Sequence, residues 1–260
     1  MKTTLFTLPL LALGCSSAWA DISSSHLERV LEKGALNVCT TGDYKPYSFL
    51  ASDGNYQGID IAMAHSLADS LGIKVNWVKT SWKTLMEEMI TGKCDIAMGG
   101  ISVTLARQQK AWYSNSLDQD GKIPLVRCKD KNKYQTIEQI NLPSVRLIEP
   151  NGGTNEAFAH AYLPKANLRL SNDNQGIFAE LVENKADVMI TDASEARYQQ
   201  KHYPQLCAVN TQKPLQYGEK AYLLPANDLT WKMYVDQWLH LSKASGEYQK
   251  VVSQWLADSK

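Results

Sequence analysis

The feature that most restricts the fold is an alternation of short apolar stretches with amphipathic ones, which occurs twice along the chain. The first run reads strand (Ala35 to Cys39), helix (from Asp60, ending before Gly72), strand (Val75 to Val78), helix (Trp82 to Ile90) and strand (Asp95 to Met98), entering Gly99-Gly100. Parallel strands need crossover connections, so this β-α-β-α-β order predicts a parallel sheet covered by helices. The second run spans Val145 to Val209, with strands at Val145 to Ile148 and near Leu168, helices at Asn155 to Tyr162 and Asn174 to Glu183, and then the stretch from Lys185 to Gln199. A short helix, His26 to Lys33, capped by Ser23 to Ser25 and ended by Gly34, precedes the first run. After the second, the chain returns through one apolar strand, Lys220 to Leu224, and closes with two helices. Their tryptophans, Trp231, Trp238 and Trp255, recur at helical spacing and read as core.

Two such bodies, the first resumed after the second, predict an α/β protein of two lobes, each a mostly parallel sheet with flanking helices. Two hinge crossings join them, near Asp118 to Ile123 and near Gln212 to Gly218. One lobe then comprises 21–120 with 217–260, the other 121–216. A body of this kind closes on its ligand by hinge motion, with the site in the cleft.

The most informative junction lies inside Lys185 to Gln199. Ala186 to Ile190 suits a buried parallel strand, Thr191 and Asp192 are helix N-cap types, and Ala193 onward has helix-forming composition. Open α/β sheets bind ligands at such strand-to-helix junctions. This one carries two carboxylates, Asp192 and Glu195, three residues apart. Glu195 taken alone has an ordinary explanation, a first-turn glutamate closing a capping box. The rest of the chain changes that reading.

Basic and acidic residues balance at 27 against 27 without long runs of either sign. That speaks against nucleic acid or a membrane surface as a partner, and makes any ligand-binding charge local. Residues 1–20 have the form of an export signal: Lys2, the apolar run Leu5 to Leu13, and Ala18-Trp19-Ala20 before a cleavage after Ala20. Gly14-Cys15 raises a lipoprotein signal instead, but Ala12 is a poor residue three before the cysteine. The apolar run is too short to span a bilayer, and no other stretch qualifies. The mature chain is therefore expected to be soluble and periplasmic, where disulfides are permitted. Cys128 and Cys207 fall near the ends of neighbouring strands and are expected to pair; Cys39 is expected to be a buried free thiol. The five scattered histidines and the absence of C-x-x-C spacing offer no metal site.

Six stretches together resemble a known group: T-T-G-D-Y-K-P-Y at 40–47, T-S-W at 80–82, D-G-K at 120–122, G-G-T-N-E at 152–156, D-A-S-E-A-R at 192–197 and E-K-A-Y-L-L-P at 219–225. Almost the whole mature chain resembles the periplasmic amino-acid-binding proteins of ABC importers, which have the type II periplasmic-binding-protein fold. It is more similar still to their enzymatic relatives, the cyclohexadienyl dehydratases, which convert prephenate to phenylpyruvate and arogenate to phenylalanine. The glutamate of D-A-x-E-A-R and the lysine of D-G-K carry the second likeness. Pro150-Asn151 stands where the family often has Asn-Pro, which puts an asparagine contact in question. Gly99 stands where serine is usual, which removes one hydrogen bond to substrate.

The reaction so implied loses carbon dioxide and water from a cyclohexadiene ring and needs no metal, redox cofactor or covalent nucleophile. Hydroxide leaves poorly, so a positioned acid must protonate it. Glu195 is the candidate acid, provided that desolvation, aided by Asp192, keeps its proton against the helix N-terminus. The resemblance assigns the ligand's carboxylate to Arg107, with the amide of Thr154 assisting at a helix N-terminus and Ser102 and Gly153 alongside as substrate-binding residues. Lys122, at the first crossing, faces the second carboxylate. Asp192 matches the position that takes an α-amino group in the amino-acid receptors, and Tyr44 and Trp82 wall the ring. The competing reading is a transport receptor for a polar amino acid; a sensor domain is a third. The partners expected are small molecules, with homo-oligomerisation open.

Overall fold

The computed structural model describes residues 25–256; the export signal expected at 1–20 lies outside them. Helix α1 (His26–Lys33) begins at Ser25, whose hydroxyl and backbone N–H exchange hydrogen bonds with Glu28, and stops at the left-handed Gly34. The first lobe continues with β1 (Ala35–Thr40), β2 (Asp43–Tyr44), β3 (Ser48–Leu50), β4 (Tyr56–Gln57), α2 (Ile59–Leu71), β5 (Lys74–Lys79), α3 (Leu85–Ile90), β6 (Ile96–Ala97), α4 (Leu105–Gln108) and β7 (Trp112–Tyr113). β1 runs parallel to β5 on one side and β6 on the other. The segment expected as loop at 40–47 contains β2, which forms a small antiparallel sheet with β3 and β4. The helix expected from Trp82 starts only at Leu85, because Ser81 and Thr84 close a turn through their hydroxyls. Trp82 is thereby left in the turn, free to face the cleft.

The second lobe comprises β8 (Asp118–Arg127), α5 (Ile137–Ile140), β9 (Arg146–Pro150), α6 (Thr154–Tyr162), β10 (Asn167–Ser171), α7 (Ile177–Val182), β11 (Val188–Asp192), α8 (Ala193–His202) and β12 (Leu206–Ala208). Its sheet runs β10-β9-β11-β8-β12. β9 is parallel to β10 and β11, whereas β8 is antiparallel to β11 and β12. The sheet is therefore mixed rather than mostly parallel, because β8 arrives from the first lobe and enters against the direction of its neighbours. Apolar side chains of α7 and α8 cover one face, including Phe178, Leu181 and Ala196, and those of α5 and α6 cover the other, including Ile140 and Phe158.

The chain returns through β13 (Gln216–Lys220), β14 (Leu223–Leu224), α9 (Leu229–Ala244) and α10 (Glu247–Leu256). The stretch Lys220 to Leu224, expected as one strand, is two. β13 pairs with β8 across the lobe junction, and β14 completes the first sheet in the order β5-β1-β6-β14-β7. β8 and β13 cross together as an antiparallel pair, from Gln216↔Lys122 to Lys220↔Asp118. Gly121 permits that approach, since a Cβ there would lie 2.5 Å from the Gln216 carbonyl oxygen. Trp231 and Trp238 are buried in the first lobe's core, and the Trp231 indole donates to the Asp95 carbonyl at 2.8 Å. Among the described residues no helix is long and apolar enough to cross a membrane.

Cys128 and Cys207 form a disulfide with Cα atoms 4.8 Å apart, where β12 pairs with the end of β8. Cys39 is not free: it is bonded to Cys94, 5.6 Å away between Cα atoms, because Cys94 leads into β6, the parallel neighbour of β1. Protein unfolded without reductant should therefore show no reactive thiol among these four. Replacing Cys128 and Cys207 with serine should cost about 2–4 kcal/mol in denaturant unfolding. Unchanged stability would show that the bridge spans chain already restrained when unfolded.

Candidate functional site

The junction of β11 with α8 is buried throughout: Val188 to Asp192 and Ala193 to Ala196 are all below a tenth exposed. Asp192 occupies the N-cap position in extended conformation, yet its carboxylate makes no cap bond to α8. The helix start is held from another strand, since Asp120 on β8 accepts from the Ser194 amide at 3.1 Å and from its hydroxyl at 2.5 Å. Asp192 is thus free to turn into the cleft. One oxygen meets the Lys122 ammonium at 2.8 Å. The other accepts from Tyr44 at 2.8 Å, from Ser102 at 3.1 Å and from the Lys220 ammonium. Asp192 belongs to the second lobe, whereas Tyr44 and Ser102 belong to the first. This carboxylate therefore ties the two lobes together.

Lys122 is wholly engaged. Besides Asp192, its ammonium donates to the Thr154 hydroxyl at 2.9 Å and to the side-chain oxygen of Asn155. Lys220 also donates to the Gly100 carbonyl at 2.9 Å and to Ser102 at 3.1 Å, and lies 4.8 Å from the centre of the Tyr44 ring. Burial works against ionised Asp192, but Lys122 and Lys220 outweigh it and hold the carboxyl far below the usual carboxylate range. Lys122 is pushed below its ordinary value, by burial first and by Lys220, against the attraction of Asp192.

Glu195 behaves oppositely. It is wholly buried; one carboxyl oxygen accepts from the Thr191 hydroxyl and the other has no partner among the described residues. Burial pushes its carboxyl up to about 8, the Thr191 hydroxyl opposes the rise, and the charge of Asp192 adds to it. No capping box forms, because Glu195 turns to Thr191 rather than to the backbone of the N-cap. Two carboxyls three residues apart thus hold opposite protonation states at neutral pH, which suits one to electrostatic anchoring and the other to proton donation.

In front of this cluster lies a small cavity between the lobes. Seven residues singled out from the sequence line it: Tyr44, Trp82, Ser102, Arg107, Gly153, Thr154 and Asp192. Lys122 and Glu195 are not in the lining; Lys122 stands behind it on Asp192 and Thr154, and Glu195 behind Thr191, whose hydroxyl accepts from Asn155 of the lining. The Trp82 ring meets Tyr44 edge-on at 5.4 Å, and Tyr44 stacks on Tyr47 at 5.9 Å. Arg107 donates to the Ser102 carbonyl at 3.0 Å, and among the described residues no carboxylate pairs with it. Gly153 leaves the start of α6 without a side-chain cap, so the first-turn amides are open to an anion in the cavity.

Three lining or supporting residues escaped the sequence reading. Lys220 was legible as a cation inside an otherwise apolar stretch, a placement that calls for a buried counter-ion. Asn155 follows Thr154 directly and pins Lys122. Asn174 donates to the Asp43 carbonyl at 3.1 Å and keeps an unpartnered side-chain oxygen at the cavity. It was hidden because an Asp173 turn delays the start of α7 to Ile177. Asn151 points away, to Asn172 at 3.0 Å. A side chain at Gly99 would run into Thr40 and Ser48, at 2.9 and 3.0 Å, on the far side of that wall.

Residues 36–258 match the bacterial extracellular solute-binding proteins, family 3. The chain is 47% identical over 249 residues to the cyclohexadienyl dehydratase of Pseudomonas aeruginosa, covering 94% of this chain and 92% of that one. Among solved structures, an ancestral cyclohexadienyl dehydratase is 47% identical with a TM-score of 0.58, covering 90% of this chain and 98% of its own. An ancestral amino acid-binding protein, a precursor of cyclohexadienyl dehydratase, is 33% identical with a TM-score of 0.83, covering 89% and 100%.

Proposed function

The chain belongs to the bacterial extracellular solute-binding proteins, family 3, and within them to the cyclohexadienyl dehydratases, and we propose that the cleft performs that reaction with Glu195 as the acid. It is a lyase: prephenate gives phenylpyruvate and L-arogenate gives L-phenylalanine, a step of phenylalanine biosynthesis. The ring carboxylate leaves as carbon dioxide, its bonding electrons enter the ring, and the bond to the ring hydroxyl breaks at the opposite end. One proton is consumed per turnover, and the hydroxyl departs as water. A group near 8 still holds that proton at neutral pH, whereas an ordinary glutamate has lost it.

The observation that carries this reading is the buried, proton-bearing Glu195 beside a permanently ionised Asp192. A receptor for ordinary amino acids has no use for an acid there. Arg107 serves as the free anchor for one substrate carboxylate, with the amides of Gly153 and Thr154. Lys122, once drawn from Thr154 and Asn155, serves the other. Tyr44 and Trp82 flank the ring, and Ser102 with Asp192 holds the lobes shut around it.

Purified protein mixed with prephenate at neutral pH should yield phenylpyruvate. Absence of product, together with tight calorimetric binding of a common amino acid, would establish the receptor reading instead. Residues 1–20 are read as an export signal removed after Ala20, which assigns the mature chain to the periplasm. Intact-mass analysis of exported protein should then find Asp21 first; a chain beginning at Met1, or lipidated at Cys15, would contradict it.

A further inference from the structure

Behind the site lies a carboxyl that the mechanism does not use. Glu149 is the penultimate residue of β9, wholly buried, just before the turn that lines the cavity. β9 and β11 are paired through Val188↔Leu147, and the Asp187 backbone amide donates to the Arg146 carbonyl at 2.8 Å. Further along, the Ile190 amide turns instead to the Glu149 side chain, at 2.7 Å. A side-chain oxygen stands in for a ladder acceptor where the two strands part to make room for the cleft. Ile190 is followed by Thr191, whose hydroxyl holds Glu195 and lies 3.4 Å from the Asn155 amide nitrogen, and then by Asp192.

We propose that Glu149 is a positioning residue of the site, whose carboxyl oxygen holds the Ile190 amide where β9 and β11 diverge and so fixes Thr191, Asp192 and Glu195 relative to Lys122. The ionisable groups facing it are Lys122, Glu195 and Asp192. Burial, with the negative charge of Asp192, pushes its carboxyl well above the ordinary value, against the pull of the Ile190 amide and Lys122. Burial thus favours the uncharged form of Glu149, whose role rests on shape and the hydrogen bond from Ile190. Its second oxygen has no partner among the described residues, so the proposed role uses one acceptor oxygen.

The kinetic part of this inference rests on the dehydratase reading, so the test includes a measurement that does not. Glu149→Gln keeps a side-chain acceptor without a charge; Glu149→Leu and Glu149→Met keep bulk without an acceptor, the second with the flexibility to fold if the first does not. Hydrogen exchange at the Ile190 amide should be unchanged in Glu149→Gln and faster by about tenfold or more in the apolar variants. Prephenate turnover should stay within about threefold of the parent in Glu149→Gln, and kcat should fall about tenfold to a hundredfold in the apolar variants with KM much less affected. The fall of kcat at alkaline pH expected as Glu195 loses its proton, at about 8, should occur at the same pH in Glu149→Gln as in the parent. Apolar variants with parental exchange and kcat would overturn the proposal, as would a Glu149→Gln variant as impaired as they are. If the parent itself fails to turn over prephenate, the dehydratase reading falls, and the Ile190 exchange alone decides the role of Glu149.

Discussion

Glu195→Gln lowers kcat for prephenate by about three orders of magnitude or more, while calorimetry finds substrate binding retained. The amide preserves shape and the acceptor for the Thr191 hydroxyl but has no proton to give to the departing hydroxyl. Activity above about five per cent of the parent would remove Glu195 as the acid. The same substitution should make the protein more stable at mildly alkaline pH. In the unfolded chain Glu195 ionises from its ordinary value of 4.5 upward, whereas in the fold it keeps its proton to about 8. The unfolded state thus binds fewer protons across that window, and stability falls as pH rises through it. Glu195→Gln lacks this loss. Its melting temperature should equal the parent's near pH 4 and exceed it at pH 8; an equal pair at pH 8 would mean that the carboxyl is not held neutral.

Asp192→Asn should be the most destabilising single change in the cleft. Asp192 neutralises two ammoniums that are themselves below a twentieth exposed, Lys122 at 4% and Lys220 at 1%. Removing the anion leaves two buried cations facing one another, and breaking such a cluster from one side costs about 3–5 kcal/mol. Lys220→Met added to Asp192→Asn removes one uncompensated charge and should recover part of the loss. A double variant no more stable than Asp192→Asn would show that the lysines escape to solvent instead of repelling each other in place. Activity should be lost with Asp192→Asn as well, because this carboxylate bonds to Tyr44, Ser102 and Lys220 across the lobes.

The alternation of apolar and amphipathic segments carried the two-sheet architecture because buried parallel strands and their crossover helices have distinct periodicities. What it did not carry follows from bonds between residues far apart in the chain. Cys39 looks like any buried strand residue until β6 brings Cys94 beside it. The stretch from Lys220 to Leu224 reads as one apolar strand, and only the crossing of the lobes reveals that its first residue ends one strand while its last two lie in another. Glu195 and Asp192 were legible as a pair because one junction holds both. Their opposite protonation depends on Lys122 and Lys220, which approach from two other strands. Glu149 was hidden within a strand pattern, since its task arises only where β9 and β11 separate.

Proton donation by Glu195 requires that it hold a proton inside the closed cleft at neutral pH, and infrared difference spectroscopy reads that state without substrate. The parent-minus-Glu195→Gln spectrum isolates this carboxyl from Asp60 and Glu149, which are buried too. At pH 7 it should contain a protonated-carboxyl stretch that is replaced by carboxylate bands with a midpoint at about 8. Carboxylate bands already present at pH 7, with the transition near the ordinary 4.5, would contradict the account.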